Sequence, residues 1–91
     1  MSEWTFFTNH GHVIFVLSTN PHLTLKEVAN EVGITERATQ KIIADLEKDG
    51  FIKIKKEGRN NHYTVVGRKR LRHKVEKKSS LKDIIKAVKK S

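Results

Sequence analysis

Apolar and polar residues change period along this chain, and each change predicts a new element. From Asn9 to Ser18 the residues Val13, Ile14, Phe15, Val16 and Leu17 make a broad apolar face. This predicts a largely buried first helix, capped by Thr8 and stopped before Asn20-Pro21, because a residue ahead of proline is pushed out of helical geometry. Thr24 to Val32 predicts a second helix. Its opening, Thr24-Leu25-Lys26-Glu27, has the pattern of a capping box, in which the Thr hydroxyl and the Glu carboxylate each accept from a backbone N–H that the first turn leaves unpaired. A third helix is predicted from about Glu36 to Asp49, capped by Thr35 and ended by Gly50. At about 100° per residue, its Ala38, Ile42 and Leu46 form an inner stripe with Thr39 and Ile43 at the edge. Glu36, Arg37, Gln40, Lys41, Ala44 and Glu47 then face outward.

After Gly50 the pattern becomes alternating. Ile52 and Ile54 alternate with Lys53 and Lys55, a turn signal runs from Lys56 to Asn61, and Tyr63 and Val65 alternate with His62 and Thr64. This predicts a β-hairpin. Residues 68–78 show no apolar period and predict an extended or irregular connector. Ser80 then caps a short helix with Leu81, Ile84, Ile85 and Val88 on one face and Lys82, Lys86, Lys89 and Lys90 around the rest. The apolar face packs either on its own domain or across a dimer. Ahead of the first helix, the aromatic patch from Trp4 to Phe7 is either a short strand or an extended cover for the core. The expected fold is mostly α with a small β-hairpin, with residues 1–67 as the main domain and 68–91 as a basic connector and amphipathic helix.

Residues 25–42 carry the most specific spacing. Leu25, Val28, Val32, Ile34 and Ile42 are placed to bury the inner faces of two crossing helices. Ala29 stands where a larger side chain would force the helices apart, and Gly33 where the first of them ends in a left-handed conformation. That is the pattern of a helix-turn-helix, and the hairpin directly after it makes the winged form, a DNA-binding domain. Thr39 departs from it, at a position more often held by Val or Ile.

The outward N-terminal half of the third helix is then where base edges would be read. Arg37 suits the O6 and N7 acceptors of guanine, and Gln40 the N6 and N7 pair of adenine. Thr35, Glu36 and Lys41 are secondary candidates, since capping, helix-dipole complementarity or solvation also accounts for them. Near the hairpin tip, Lys55, Lys56 and Arg59, with Asn60 and His62, are candidates for contact with phosphates or a flanking minor groove; the same lysines also guard an exposed strand edge against pairing.

Charge is divided unevenly. The whole chain carries a formal net charge of +9, but residues 1–50 hold four basic against seven acidic residues, net −3, while residues 51–91 hold fifteen against three, net +12. A polyanion is therefore attracted mainly by the C-terminal half. Seven of the eleven residues from 68 to 78 are Lys or Arg, so the connector either lies along DNA or is a solvated linker.

The segment from Thr8 to Val65 resembles the small winged helix-turn-helix transcription regulators of bacteria and archaea grouped with the MarR and ArsR types. The resemblance rests on TNHGHV, GITERATQKIIADLEKDGFI and GRNNHY. It implies a single-domain, cytoplasmic, nucleoid-associated DNA binder that acts as a homodimer on double-stranded DNA, with contact at Thr35, Arg37, Gln40 and the Arg59 wing region. The basic run Gly67-Arg-Lys-Arg-Leu-Arg-His-Lys exceeds what such relatives carry.

Other chemistries find little support. There are no cysteines, and His10, His12, His22, His62 and His73 are spread over separate elements or separate sides of a helix, so neither a metal nor another cofactor is expected. No GxSxG, HExxH or GxxxxGK[ST] run occurs, which argues against an enzyme. The longest apolar run, Val13 to Leu17, is five residues against the roughly 20 that span a bilayer, and no basic segment precedes it as in a leader, so no membrane contact is expected. The leading expectation is a sequence-specific transcription regulator. The alternative is an architectural, weakly specific protein that coats DNA, and a third is a winged module that bridges protein partners.

Overall fold

The computed structural model describes residues 4–58 and 60–89. In chain order these form α1 (Asn9–Thr19), α2 (Leu25–Val32), α3 (Glu36–Lys48), β1 (Ile52–Glu57), β2 (Asn60–Val65) and α4 (Leu81–Lys89). The predicted helices and hairpin all form. α1 supplies the centre, with Val13, Ile14 and Leu17 buried, and α2 and α3 close over it through Val28, Ile42, Ile43 and Leu46. Phe51, Ile52 and Tyr63 carry the same core into the hairpin. Leu81 extends it into α4, and Ile85 packs against it, so this helix docks on its own domain.

The helix ends follow from local chemistry. Thr24 accepts from the Glu27 N–H while the Glu27 carboxylate accepts from the Thr24 N–H, closing the expected box. Thr35 Oγ1 accepts from the Ala38 N–H at 3.0 Å. Ser80 and Asp83 form a second reciprocal pair at the head of α4. Thr8 holds the extended cap position of α1, but its hydroxyl makes no capping bond; only its carbonyl is used, by the His12 N–H at 3.0 Å. Thr8 is thus the cap residue as expected, acting through its backbone.

Gly33 ends α2 at φ 85, which lets the Ala29 carbonyl accept from both Gly33 and Ile34. Ala29 itself is buried, as the helix-turn-helix spacing requires. Thr39 is fully buried at 0% exposure, and its hydroxyl donates to the Thr35 carbonyl at 2.8 Å, so the polar residue enters the core without an unpaired group.

The hairpin is antiparallel, with Ile52 opposite Val65, Ile54 opposite Tyr63 and Lys55 opposite His62. It pairs further toward the tip than the turn signal implies: Lys56 faces Asn61 and Glu57 faces Asn60. The turn expected from Lys56 to Asn61 is thus shorter, because four of those residues join the ladder. Tyr63 also donates its N–H to the Pro21 carbonyl at 3.1 Å, which ties the wing to the connection between α1 and α2.

Trp4 to Phe7 forms no strand. Phe7 lies edge-on to Phe15 with ring centroids 5.1 Å apart. Gly11 makes room for it, since a Cβ there would fall 3.2 Å from the Phe7 Cβ. Residues 68–78 are irregular but not extended. The chain turns back on itself, and an isolated antiparallel bridge joins Arg70 to Ser80.

Candidate nucleic-acid interface

α3 is held by one side and presents the other. Its buried residues Thr39, Ile42, Ile43 and Leu46 lie against α1 and α2, which leaves Glu36, Arg37, Gln40, Lys41, Ala44 and Glu47 exposed together on the outer face. The side chains of Arg37 and Gln40 make no ion pair or hydrogen bond among the described residues, so their side-chain donors and acceptors are available to a ligand. Their separation of three positions puts them on neighbouring turns of one face. Lys41 reaches the Asp45 carboxylate at 3.9 Å, a loose exposed pair that leaves the ammonium largely solvated. Glu36 stands in the first turn, where a carboxylate complements the helix dipole, and Thr35 is occupied by its capping bond.

The flank of α3 is braced as well. His10 at the head of α1 meets Asp45 at 2.9 Å, and this hydrogen bond holds the Asp45 carboxyl below the ordinary aspartate range, with help from Lys41. At the helix end, Arg72 donates to Asp49 at 2.7 Å. In the wing, strand alternation separates the two candidate lysines. Lys55 shares a face with Lys53, His62 and Thr64, whereas Lys56 lies on the face of Ile54 and Tyr63 and is exposed because it extends past the core. Asn60 is exposed opposite Glu57. Arg59 lies outside the described residues.

His62 is half-buried and packs on His22, with ring centroids 4.6 Å apart and the planes tilted by 52°. Sequence spacing does not reveal that contact, because His22 belongs to the loop after α1, which the Pro21–Tyr63 bond holds beside β2. Among the described residues no three His, Asp or Glu side chains gather as a metal would require, and no helix is long and apolar enough to cross a membrane.

A helix-turn-helix with an outward polar face, followed at once by a two-stranded hairpin, defines a winged helix-turn-helix DNA-binding protein. Residues 8–53, half of the chain, match the family described as winged helix-turn-helix DNA-binding, and the chain belongs to that family. Among solved structures, it is similar over 92% of its length to 77% of a predicted DNA-binding transcriptional regulator from E. coli, with TM-score 0.67 and 17% identity. It is also similar, at 26% identity and TM-score 0.51, to the zinc-dependent MarR family transcriptional regulator AdcR in its Zn(II)-bound state. That match covers 72% of this chain and 47% of AdcR, so the chain spans about half of AdcR's length. No curated protein matches the sequence.

Proposed function

We propose that this protein is a sequence-specific, dimeric transcription regulator that places α3 in the major groove of double-stranded DNA and lays its wing on the flanking backbone. The observation that supports this reading most is the outer face of α3, where Arg37 and Gln40 are exposed, uncommitted and suited to bidentate contact with guanine and adenine. Thr35, Glu36 and Lys41 border that contact. Lys55 and Lys56, with Arg59, Asn60 and His62, serve the phosphates and set the register. Residues 1–67 act as the reading domain and residues 68–91 add basic surface to it. Working on DNA, the protein is assigned to the cytoplasm and the nucleoid, with no cofactor and no catalytic step.

The net +12 of residues 51–91 favours a second reading, an architectural protein that coats DNA with little base preference. Selection of bound duplexes from a random pool at about 0.15 M salt separates the two, because specific regulators bind their sites typically 10³–10⁷ times more tightly than random DNA. Recovery of a shared motif supports the regulator. A pool that stays random after several rounds overturns it in favour of the architectural role.

A further inference from the structure

The connector after the wing is the most basic stretch of the chain, and the structure shows it folded rather than trailing. Arg70 pairs with Ser80 in an isolated bridge, the Leu71 N–H donates to the Ser79 carbonyl at 3.1 Å, and the Leu81 N–H donates to the Lys69 carbonyl at 2.7 Å. The Arg70 guanidinium closes the loop from inside by donating to the Lys78 carbonyl at 2.6 Å. Leu71 packs against the hydrophobic core, and Arg72 fastens the loop to Asp49, the residue that ends α3. A solvated linker needs none of these bonds.

Two arginines are thus committed to holding the loop, and Lys74, Lys77 and Lys78 are exposed with no ion pair among the described residues. Their only acidic neighbour within the loop is Glu76. The place of attachment gives this charge a direction. α3 has 13 residues and is therefore about 20 Å long, whereas the major groove is about 12 Å wide. In the proposed arrangement, with the N-terminal half of α3 in the groove and its axis directed across it, the C-terminal end emerges near a phosphate ridge, and Asp49 brings the loop toward it.

We infer that residues 70–80 form a preorganised phosphate-binding loop, a second DNA-backbone clamp separate from the wing, in which Lys74, Lys77 and Lys78 meet the phosphates and Asp49 is a positioning residue. The inference rests on the DNA-binding reading proposed above. Preorganisation matters because a lysine on a fixed loop gives up less conformational freedom on binding than one on a floppy tail.

Binding of the full chain to its selected duplex and to a random duplex, titrated between 50 and 200 mM salt, tests it. The Lys74→Ala/Lys77→Ala/Lys78→Ala variant is expected to weaken both duplexes by the same factor and to flatten the slope of log K against log salt by about 0.9 for each phosphate that the protein no longer neutralises. An unchanged slope overturns the clamp. Asp49→Ala separates a fastened loop from a mere excess of charge, because it makes the protein more positive. If charge alone matters, binding tightens. A fastened loop instead predicts weaker binding to both duplexes with unchanged circular dichroism, and affinity that rises or stays level overturns the positioning role. Failure of the unaltered protein to bind either duplex overturns the proposed function along with the clamp, whereas wild-type binding with unaffected variants overturns the clamp alone.

Discussion

His10 Nε2 lies 2.9 Å from Asp45 Oδ2, so the first turn of α1 is tied directly to the flank of α3, the helix with the outward polar face. The bond lowers the Asp45 carboxyl below its usual value. The Glu27 carboxyl is lowered by the backbone N–H of Thr24, and the Asp83 carboxyl by the backbone N–H of Ser80. A carboxyl whose folded pKa is depressed adds stability above its unfolded pKa, and that stability is lost as pH falls through the folded value. Urea unfolding midpoints are therefore expected to decline below about pH 4, where unperturbed carboxyls begin to protonate. In His10→Ala, an NMR titration should show Asp45 returning toward the ordinary range while Glu27 and Asp83 stay where they are. An Asp45 titration unmoved by that substitution contradicts the assignment.

Thr39 makes a sharper test of packing. Its hydroxyl donates to the Thr35 carbonyl, but that carbonyl already accepts the Thr39 N–H at 3.0 Å. Replacing the hydroxyl by a methyl therefore leaves no backbone group unpaired, and back-bonding of this kind slightly weakens a helix. Thr39→Val is expected to be neutral or stabilising by up to about 1 kcal/mol. Thr39→Ala, which leaves a small void in a fully buried site, is expected to cost about 1 kcal/mol. Denaturant melts order the three proteins. A Val variant less stable than the Ala variant would show that the hydroxyl matters more than the volume.

Most of the fold is legible in the sequence because its signals are local. The Thr24–Glu27 box, the Gly33 helix end and the change from helical to alternating period each depend on residues within a few positions of one another, and all three are present. The turn signal overruns the true turn because Lys56, Glu57, Asn60 and Asn61 are polar, and polarity does not reveal where a ladder stops. What the sequence does not reveal depends on distant partners. His10 with Asp45, His22 with His62 and Arg72 with Asp49 are separated by 35, 40 and 23 positions respectively. Charge density alone marks residues 68–78 as basic, while their closure depends on the Arg70–Ser80 bridge. The outward stripe of α3 is legible as a stripe, but geometry alone does not say which bases it reads.

Arg37 and Gln40 carry that question. Replacing either by alanine is expected to cost roughly 1–3 kcal/mol on the preferred duplex and to relax selectivity at one base position. Both are exposed, so circular dichroism should be unchanged. Competition assays with single-base variants of the site provide the measurement. Equal losses on preferred and random DNA would reassign the pair to backbone contact.

The wing is expected to behave in the opposite way. Lys55 and Lys56 point to opposite faces of β1, so a wing lying edge-on along the backbone uses both, and a wing lying flat uses one. Neutralising both should weaken all duplexes alike and flatten the salt slope by about 0.9 per phosphate released. Comparison of the single variants distinguishes the two orientations. A slope that both single variants leave untouched would remove the wing from the interface.

Dimerisation is the last expectation, and the exposed apolar side chains are the candidates for its contacts. α4 places Leu81 and Ile85 on its own domain, which leaves Val88 at 43% exposure, and Trp4 and Phe6 remain 67% and 89% exposed with their rings edge-on to each other 5.1 Å apart. Val88 lies toward the other end of α1, where Lys89 Nζ donates to the Ser18 carbonyl, whereas Trp4 and Phe6 pack on each other ahead of α1. An exposed apolar patch marks an interaction surface more often than single scattered residues do. A two-fold dimer joined there would present two reading helices to half-sites about one helical turn, roughly 34 Å, apart. Light scattering should give twice the chain mass at micromolar concentration, and Trp4→Ser with Phe6→Ser should shift it toward the monomer. On a duplex with two half-sites that variant should bind no more tightly than to a single half-site, because the linkage between the two reading helices is gone. A wild-type monomer, both free and on DNA, would rule out the dimeric arrangement.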